Sequence, residues 1–189
     1  MRKLKLQMQT SLDGFVAGTN GEMDWMEWNW DAALNEYVNN ITASVDCILL
    51  GRKLAEGFIS TWESRLADPE TADDAAHKFV HTPKIVFSKS LQKIEGKNTE
   101  VENGELAAVV NHLKSKEGQD IIVYGGANFV SSLIQENLID EYNLFVNPTA
   151  IGSGMSIFAG PEQKKSFQLT HAQAFECGIV ALRYTPHKA

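Results

Sequence analysis

Three stretches of the chain combine residue types that could do chemistry. The first is Asp120-Ile121-Ile122-Val123-Tyr124-Gly125-Gly126-Ala127-Asn128-Phe129, an apolar strand pattern running through two glycines into an amphipathic helix. A helix N-terminus presents unpaired amide donors and a partial positive charge, and glycines let a pyrophosphate approach them closely. The same turn also serves as a plain tight connection. The second stretch, Ile48-Leu49-Leu50-Gly51-Arg52-Lys53, repeats the strand and glycine but follows them with two cations. A guanidinium fork and a lysine point charge suit a phosphate, such as a 2′-phosphate; a solvated basic helix start is the plainer reading. The third runs from Thr10-Ser11-Leu12-Asp13-Gly14-Phe15-Val16-Ala17-Gly18 through Met23-Asp24-Trp25 to Trp28 and Trp30. A glycine-flanked loop passing into aromatics can wall a slot for a flat ring, or staple the loop to the core.

Other chemistries lack their residues. There is no Walker sequence, and Gly152-Ser153-Gly154 has Ile157 where a dinucleotide fingerprint needs its third glycine. His77 and His81 stand four apart without the adjacent glutamate of a zinc protease and read as a solvated helix face. His112, His171 and His187 form no visible cluster, and no Gly-x-Ser-x-Gly nucleophile elbow occurs. Cys47 and Cys177 are too isolated for a zinc knuckle or redox pair, which fits a reducing, cytoplasmic setting.

The elements that must position these stretches follow from periodicity. Leu4, Leu6 and Met8 alternate with polar residues and predict a half-buried strand ending near Ser11. Asp31 to Ala43 carries Leu34, Tyr37, Val38 and Ile41 at helical spacing, and Val45 to Leu50 predicts a buried strand. A short helix from Arg52, a helix over 71–80, a strand over 84–88, a helix over 105–114 and a strand over 120–124 follow. Next come a helix over 127–137, a strand over 142–146, and short strands over 167–170, 172–176 and 179–185, with Cys177-Gly178 at a hairpin bend. Alternating strands and helices closed by antiparallel strands predict an α/β fold with a mainly parallel central sheet. With no repeat or linker, residues 1–189 are expected to form one domain.

Charge adds a further constraint. The 17 basic and 24 acidic side chains give a net charge of −7, which excludes the broad positive field that nucleic-acid or anionic-membrane binding requires. No Lys or Arg lies between Leu6 and Gly51, while Asp13, Glu22, Asp24, Glu27, Asp31, Glu36 and Asp46 do. That one segment carries the entire excess.

Taken in order, Ser11-Leu12-Asp13-Gly14 with Ala17, Leu50-Gly51-Arg52, Val86-Phe87-Ser88, Tyr124-Gly125-Gly126, and Pro148 through Gly152-x-Gly154 to Phe158 resemble the dihydrofolate reductase superfamily. The likeness is strongest to stand-alone relatives of the RibD reductase domain of riboflavin biosynthesis. It implies a three-layer dihydrofolate reductase-like fold and NADPH as hydride donor. It places Gly51, Arg52, Lys53 and Ser88 at the 2′-phosphate and adenosine, and Gly125, Gly126, Ala127 and Asn128 at the pyrophosphate. Gln9 and Val16 fall beside the nicotinamide. Lys53 stands where that family often has threonine.

The second substrate implied is a small planar heterocycle of pterin or pyrimidine type, with Trp25, Trp28 and Trp30 beside it. Family members use a carboxylate on the first helix to support protonation; the nearest acids here are Asp31 and Glu36, and Asp31 also stands where a helix N-cap belongs. A ribosyl phosphate would need cations that the first fifty residues lack, unless Lys164-Lys165 or a second subunit supplies them. The resemblance implies a homodimer, and the absence of a zinc-deaminase signature suggests a stand-alone reductase domain. The alternative expectation is a catalytically idle, nucleotide-binding dimeric scaffold of the same fold.

Overall fold

A computed structural model describes residues 1–160 and 164–187. The elements run β1 (Leu4–Thr10), α1 (Ala32–Thr42), β2 (Val45–Gly51), α2 (Arg52–Ala67), α3 (Asp74–His81), β3 (Lys84–Phe87), β4 (Thr99–Glu102), α4 (Leu106–Ser115), β5 (Asp120–Val123), α5 (Ala127–Gln135), β6 (Glu141–Val146), β7 (Phe167–Ala174) and β8 (Val180–Pro186). Eight strands form one sheet in the order β4-β3-β2-β5-β1-β6-β8-β7. Pairings from β4 through β6 are parallel, and β6-β8 and β8-β7 are antiparallel. The α/β class with a mainly parallel sheet and antiparallel C-terminal strands is therefore the observed one.

Both faces of the sheet are covered. On one, Leu4, Leu6 and Met8 of β1 pack with Val110 and Leu113 of α4 and Val130, Leu133 and Ile134 of α5. On the other, Ile48, Leu50, Ile122 and Phe145 meet Leu34 and Ile41 of α1, Ala55 and Ile59 of α2, and Phe79 of α3. Removal of apolar surface on this scale, at about 25 cal/mol per Å², is the main force holding the layers together. Cys47 lies in the first of these cores, and burial pushes its thiol up to about 11, as suits an inert packing cysteine.

The structure corrects several details of the sequence reading. β1 is a central strand covered on both faces. Its alternation misleads because Lys5 is buried and paired: Nζ lies 2.8 Å from Asp120 Oδ2 and donates to Ser44 Oγ and the Ile41 carbonyl. β4 escapes sequence reading because Thr-Glu-Val-Glu is short and charged, as an exposed sheet edge tolerates. α2 is sixteen residues long, and α3 starts at Asp74 because the Asp73 side chain caps it through the Ala76 N–H. The two strands expected over 167–176 are one strand with a register shift between Leu169 and His171.

Lys84, 1 % exposed, ends α3 from beneath. Its Nζ donates to the carbonyls of Phe79, Val80 and Thr82 at 2.9–3.1 Å. Removing the ammonium leaves three carbonyls unpaired, so Lys84→Met should cost about 2–4 kcal/mol in urea unfolding. Burial pushes the ammonium from 10.5 down to about 8. A pKa lowered on folding means that the unfolded chain holds the proton more tightly, so the contribution of this group to stability is smallest below pH 8 and grows up to about 10.5. Wild-type stability should therefore carry an upward slope across that window that Lys84→Met lacks.

Candidate active site

The strongest sequence motifs meet at the C-terminal ends of neighbouring strands, where open α/β sheets take their ligands. β2 and β5 lie side by side, and the Gly51 N–H donates to the Gly125 carbonyl at 3.0 Å. Gly51 also stands opposite Phe87, one residue before Ser88. A Cβ on Gly51 would come within 2.8 Å of Phe129 Cβ on α5, so the glycine lets the α5 start close onto the β2 turn. Gly125 has φ +147°, in the range that favours glycine. Beyond Gly126 the space is open, with nothing within 4 Å of where a Cβ would sit.

Helix starts divide into two kinds. α1, α3 and α4 are capped by the carboxylates of Asp31, Asp73 and Glu105. α2 and α5 start after Gly51 and Gly126, with neither a side-chain cap nor an acid in the first turn. In α2 the first turn instead carries Arg52 and Lys53, cations at the positive end of the helix dipole, an arrangement an anion would relieve. Arg52 Nη1 reaches back to Glu56 Oε1 at 3.1 Å, an exposed pair too weak to hold it against a phosphate. Lys53 and Asn128 are exposed, Ala127 opens α5, and the Ser88 hydroxyl accepts from the amides of Ser90 and Leu91.

The loop after β1 is stitched to the loop after β6. Asp13 accepts from Ser11 Oγ at 2.6 Å and from the amides of Ile151 and Gly152, and these donors, Ser11 foremost, hold its carboxyl below its usual range. Val16 N–H donates to the Met155 carbonyl at 2.8 Å, and Ala17 pairs with Met155. Gly154 permits this approach, because a Cβ there would run into the Ala17 carbonyl. Val16 is buried beside Met8 in the core on the α5 face, so the side chain has a packing role. Gln9 Oε1 accepts from Asn147 Nδ2 at 2.8 Å.

The aromatic stretch behaves differently from a three-point staple. Trp30 packs on the α1-side core, with Nε1 donating to the Glu27 carbonyl. Trp28 is 65 % exposed and stacks on Trp30, while Trp25 bonds within its own loop to the Glu22 carbonyl. The loop is pinned by polar contact: the Glu27 N–H donates to Asn147 Oδ1 at 2.8 Å. Asn147 escaped the sequence reading. Its one signal was an asparagine directly after an apolar strand and before Pro148.

The two candidate acids sit in different settings. Asp31 caps α1 through the Leu34 N–H and accepts from the Cys177 N–H at 3.2 Å. The Leu34 N–H foremost, with Cys177 and Glu176, outweighs the opposing effect of desolvation and holds its carboxyl below the usual range. Glu36 is exposed on α1. Lys165 bonds Asn137 and Gln135 at the C-terminal end of α5, the opposite end of that helix from the glycine turn. Among the described residues, no group of three His, Cys, Asp or Glu side chains is placed to hold a metal, and no helix is long and apolar enough to cross a membrane.

These features define an α/β protein with two uncapped helix starts at hydrogen-bonded glycine turns. The chain belongs to the RibD C-terminal domain family, whose profile matches residues 2–181. It is 32 % identical over 184 residues to the uncharacterized protein YyaP of Bacillus subtilis, covering 97 % of this chain and 94 % of that one. It is 33 % identical over 98 residues to the 2,5-diamino-6-ribosylamino-4(3H)-pyrimidinone 5′-phosphate reductase of Archaeoglobus fulgidus, covering 48 % of this chain and 44 % of that one. In fold it matches a crystal structure from Shewanella sp. PV-4 ascribed to riboflavin biosynthesis, with a TM-score of 0.74 at 21 % identity over the full length of both.

As a cap, Asp31 stabilises the fold while charged. Its lowered pKa means that this contribution is present above the ordinary 3.8 and is lost as pH falls through the folded value. Asp31→Ala should lower Tm at pH 7, and the gap to wild type should close below about pH 4 in thermal melts.

Proposed function

We propose that this protein is an NADPH-dependent reductase of a small planar heterocycle of pyrimidine or pterin type. The observation that carries this reading is the pair of uncapped helix starts at hydrogen-bonded glycine turns, the α2 one bearing Arg52 and Lys53. The reading draws support from the family and from the reductase activity named for the Archaeoglobus relative.

The residues present fit such a cofactor. Open space at Gly126 and the free amides of the α5 start suit a pyrophosphate, with Ala127 and Asn128 alongside. Arg52 and Lys53, near Ser88, suit a 2′-phosphate. Gln9 and Val16 border the end of β1, where a nicotinamide would lie. The cofactor supplies the hydride when bound, and the protein binds and orients it. With Asp31 committed to its cap, water is the proton source in this reading.

The capping role of Asp31 at the start of α1 supports a second reading, a nucleotide-binding scaffold without turnover. NADPH binding with no NADPH oxidation across pterins, pyrimidines and quinones would select it. We further propose a homodimer, in keeping with β7, whose eight residues carry no Asp, Glu, Lys or Arg although the strand is largely exposed. Sedimentation at micromolar concentration tests it.

NADPH should raise Tm and change protein fluorescence on titration; no response at millimolar concentration would refute the leading reading. Arg52→Ala should weaken NADPH about tenfold and NADH by less than twofold, and equal loss for both would remove Arg52 from the phosphate. Gly126→Val, which places a side chain in the open approach, should abolish binding of both.

A further inference from the structure

Asn147 is fully buried, and its amide makes four bonds. Oδ1 accepts from the Glu27 N–H, while Nδ2 donates to Gln9 Oε1, the Thr10 carbonyl and the Phe145 carbonyl. Its orientation is fixed by its partners, because a backbone N–H needs the oxygen and two carbonyls need the nitrogen. Gln9 must therefore turn Oε1 towards Asn147. Its Nε2, with two N–H donors, has no partner among the described residues.

Lys5, Gln7 and Gln9 alternate on one face of β1, and Lys5 shows which face by reaching the Ile41 carbonyl of α1. On that face Gln7 Oε1 is buried without a hydrogen-bond partner, alone in this among the buried side-chain oxygens and nitrogens of the described residues. Such an acceptor is costly unless something satisfies it. Its neighbours across the sheet are Asn143 of β6 and, one step beyond the Leu6–Val123 pair, Tyr124 after β5. Asn143 is committed to Leu6, Glu141 and Arg183. Gln7 and Gln9 thus leave a buried acceptor and a free donor on side chains of one face, whose Cα atoms are about 7 Å apart along the strand.

We propose that Asn147 is a positioning residue that fixes the Gln9 amide so that Gln9 Nε2 and Gln7 Oε1 together read an amide edge, a C=O beside an N–H, on a neutral planar ligand. This rests on the reductase reading and gives it a specificity element. The ligand edge belongs either to the lactam of a reducible ring or to the carboxamide of the cofactor.

Two ligand pairs distinguish the sources: 5,6-diaminouracil against 5,6-diamino-1,3-dimethyluracil, and NADPH against its reduced 3-acetylpyridine analogue, which lacks the amide N–H. Each is titrated calorimetrically into wild type, Gln7→Leu, Gln9→Leu and Asn147→Ala, the uracils with and without NADPH. Wild type should favour the N–H member of one pair about tenfold, and each variant should reduce that preference to within twofold. Loss confined to the uracil pair assigns the edge to the ring; loss confined to the cofactor pair assigns it to the carboxamide. Gln7→Leu should meanwhile raise Tm, because it replaces an unsatisfied acceptor with an apolar group; a purely structural Gln7 would not couple stabilisation to lost discrimination. If Asn147→Ala does not fold, the two glutamine variants decide. Undiminished preference in Gln7→Leu, or no preference in wild type for either pair, overturns the proposal. Wild type that binds the uracils selectively but not NADPH would overturn the reductase reading while leaving this one standing.

Discussion

The hydrogen bond from the Gly51 amide to the Gly125 carbonyl locks together the ends of two neighbouring parallel strands, and much else follows from it. For the two turns to touch, neither can carry bulk there, and Phe129 must sit against the missing Cβ of Gly51. Phe129 in turn stacks on Phe87 at the end of β3, with ring centroids 5.0 Å apart, which fixes the start of α5 relative to three strand ends. A glycine at each helix start removes the side chain that could cap it. The contact that closes the sheet ends therefore also leaves two helix starts without a side-chain cap at neighbouring strand ends.

Charge is sorted along the strand axis. At the N-terminal ends of β1, β2, β5 and β6, Arg2 pairs with Asp46, Lys5 with Asp120 and Lys114 with Asp140. Nearly buried cations against half-exposed acids there tie chain segments far apart in sequence. The acidic first fifty residues prove to be punctuation more than a field. Asp13 clamps two loops, Asp31 caps a helix, Glu22 and Glu27 hold local amides, and Asp46 takes Arg2 and the Gln119 N–H. Asp24 and Glu36 remain outside these roles. The excess of acids in this segment therefore says little about the ligand.

What the sequence displayed depended on whether a residue acts locally. The Asp31 cap, the β2 and β5 strands and both glycine turns were legible because each is specified by neighbours in sequence. β1 was misjudged because the ion pair that buries Lys5 comes from Asp120, 115 positions away. Asn147 was invisible for the same reason: its partners lie at Gln9, Thr10 and Glu27, brought together only when β6 pairs with β1. Of Trp25, Trp28 and Trp30, only Trp30 packs on a core, and a backbone N–H held by a distant amide does the pinning expected of them.

Polar satisfaction bears directly on the proposed ligand. Lys84 spends its ammonium on three carbonyls, and Asn147 spends its amide on four partners. Against that standard, exceptions among the described residues include the uncapped α2 start, the uncapped α5 start, and the buried oxygen of Gln7. The first two adjoin the C-terminal ends of β2 and β5, and the third lies on β1, which pairs with β5. Unsatisfied groups scattered over a surface would be solved by water. These gather instead on or beside three consecutive strands, β2, β5 and β1, the arrangement that the proposed ligand, anionic at one end and planar at the other, would need.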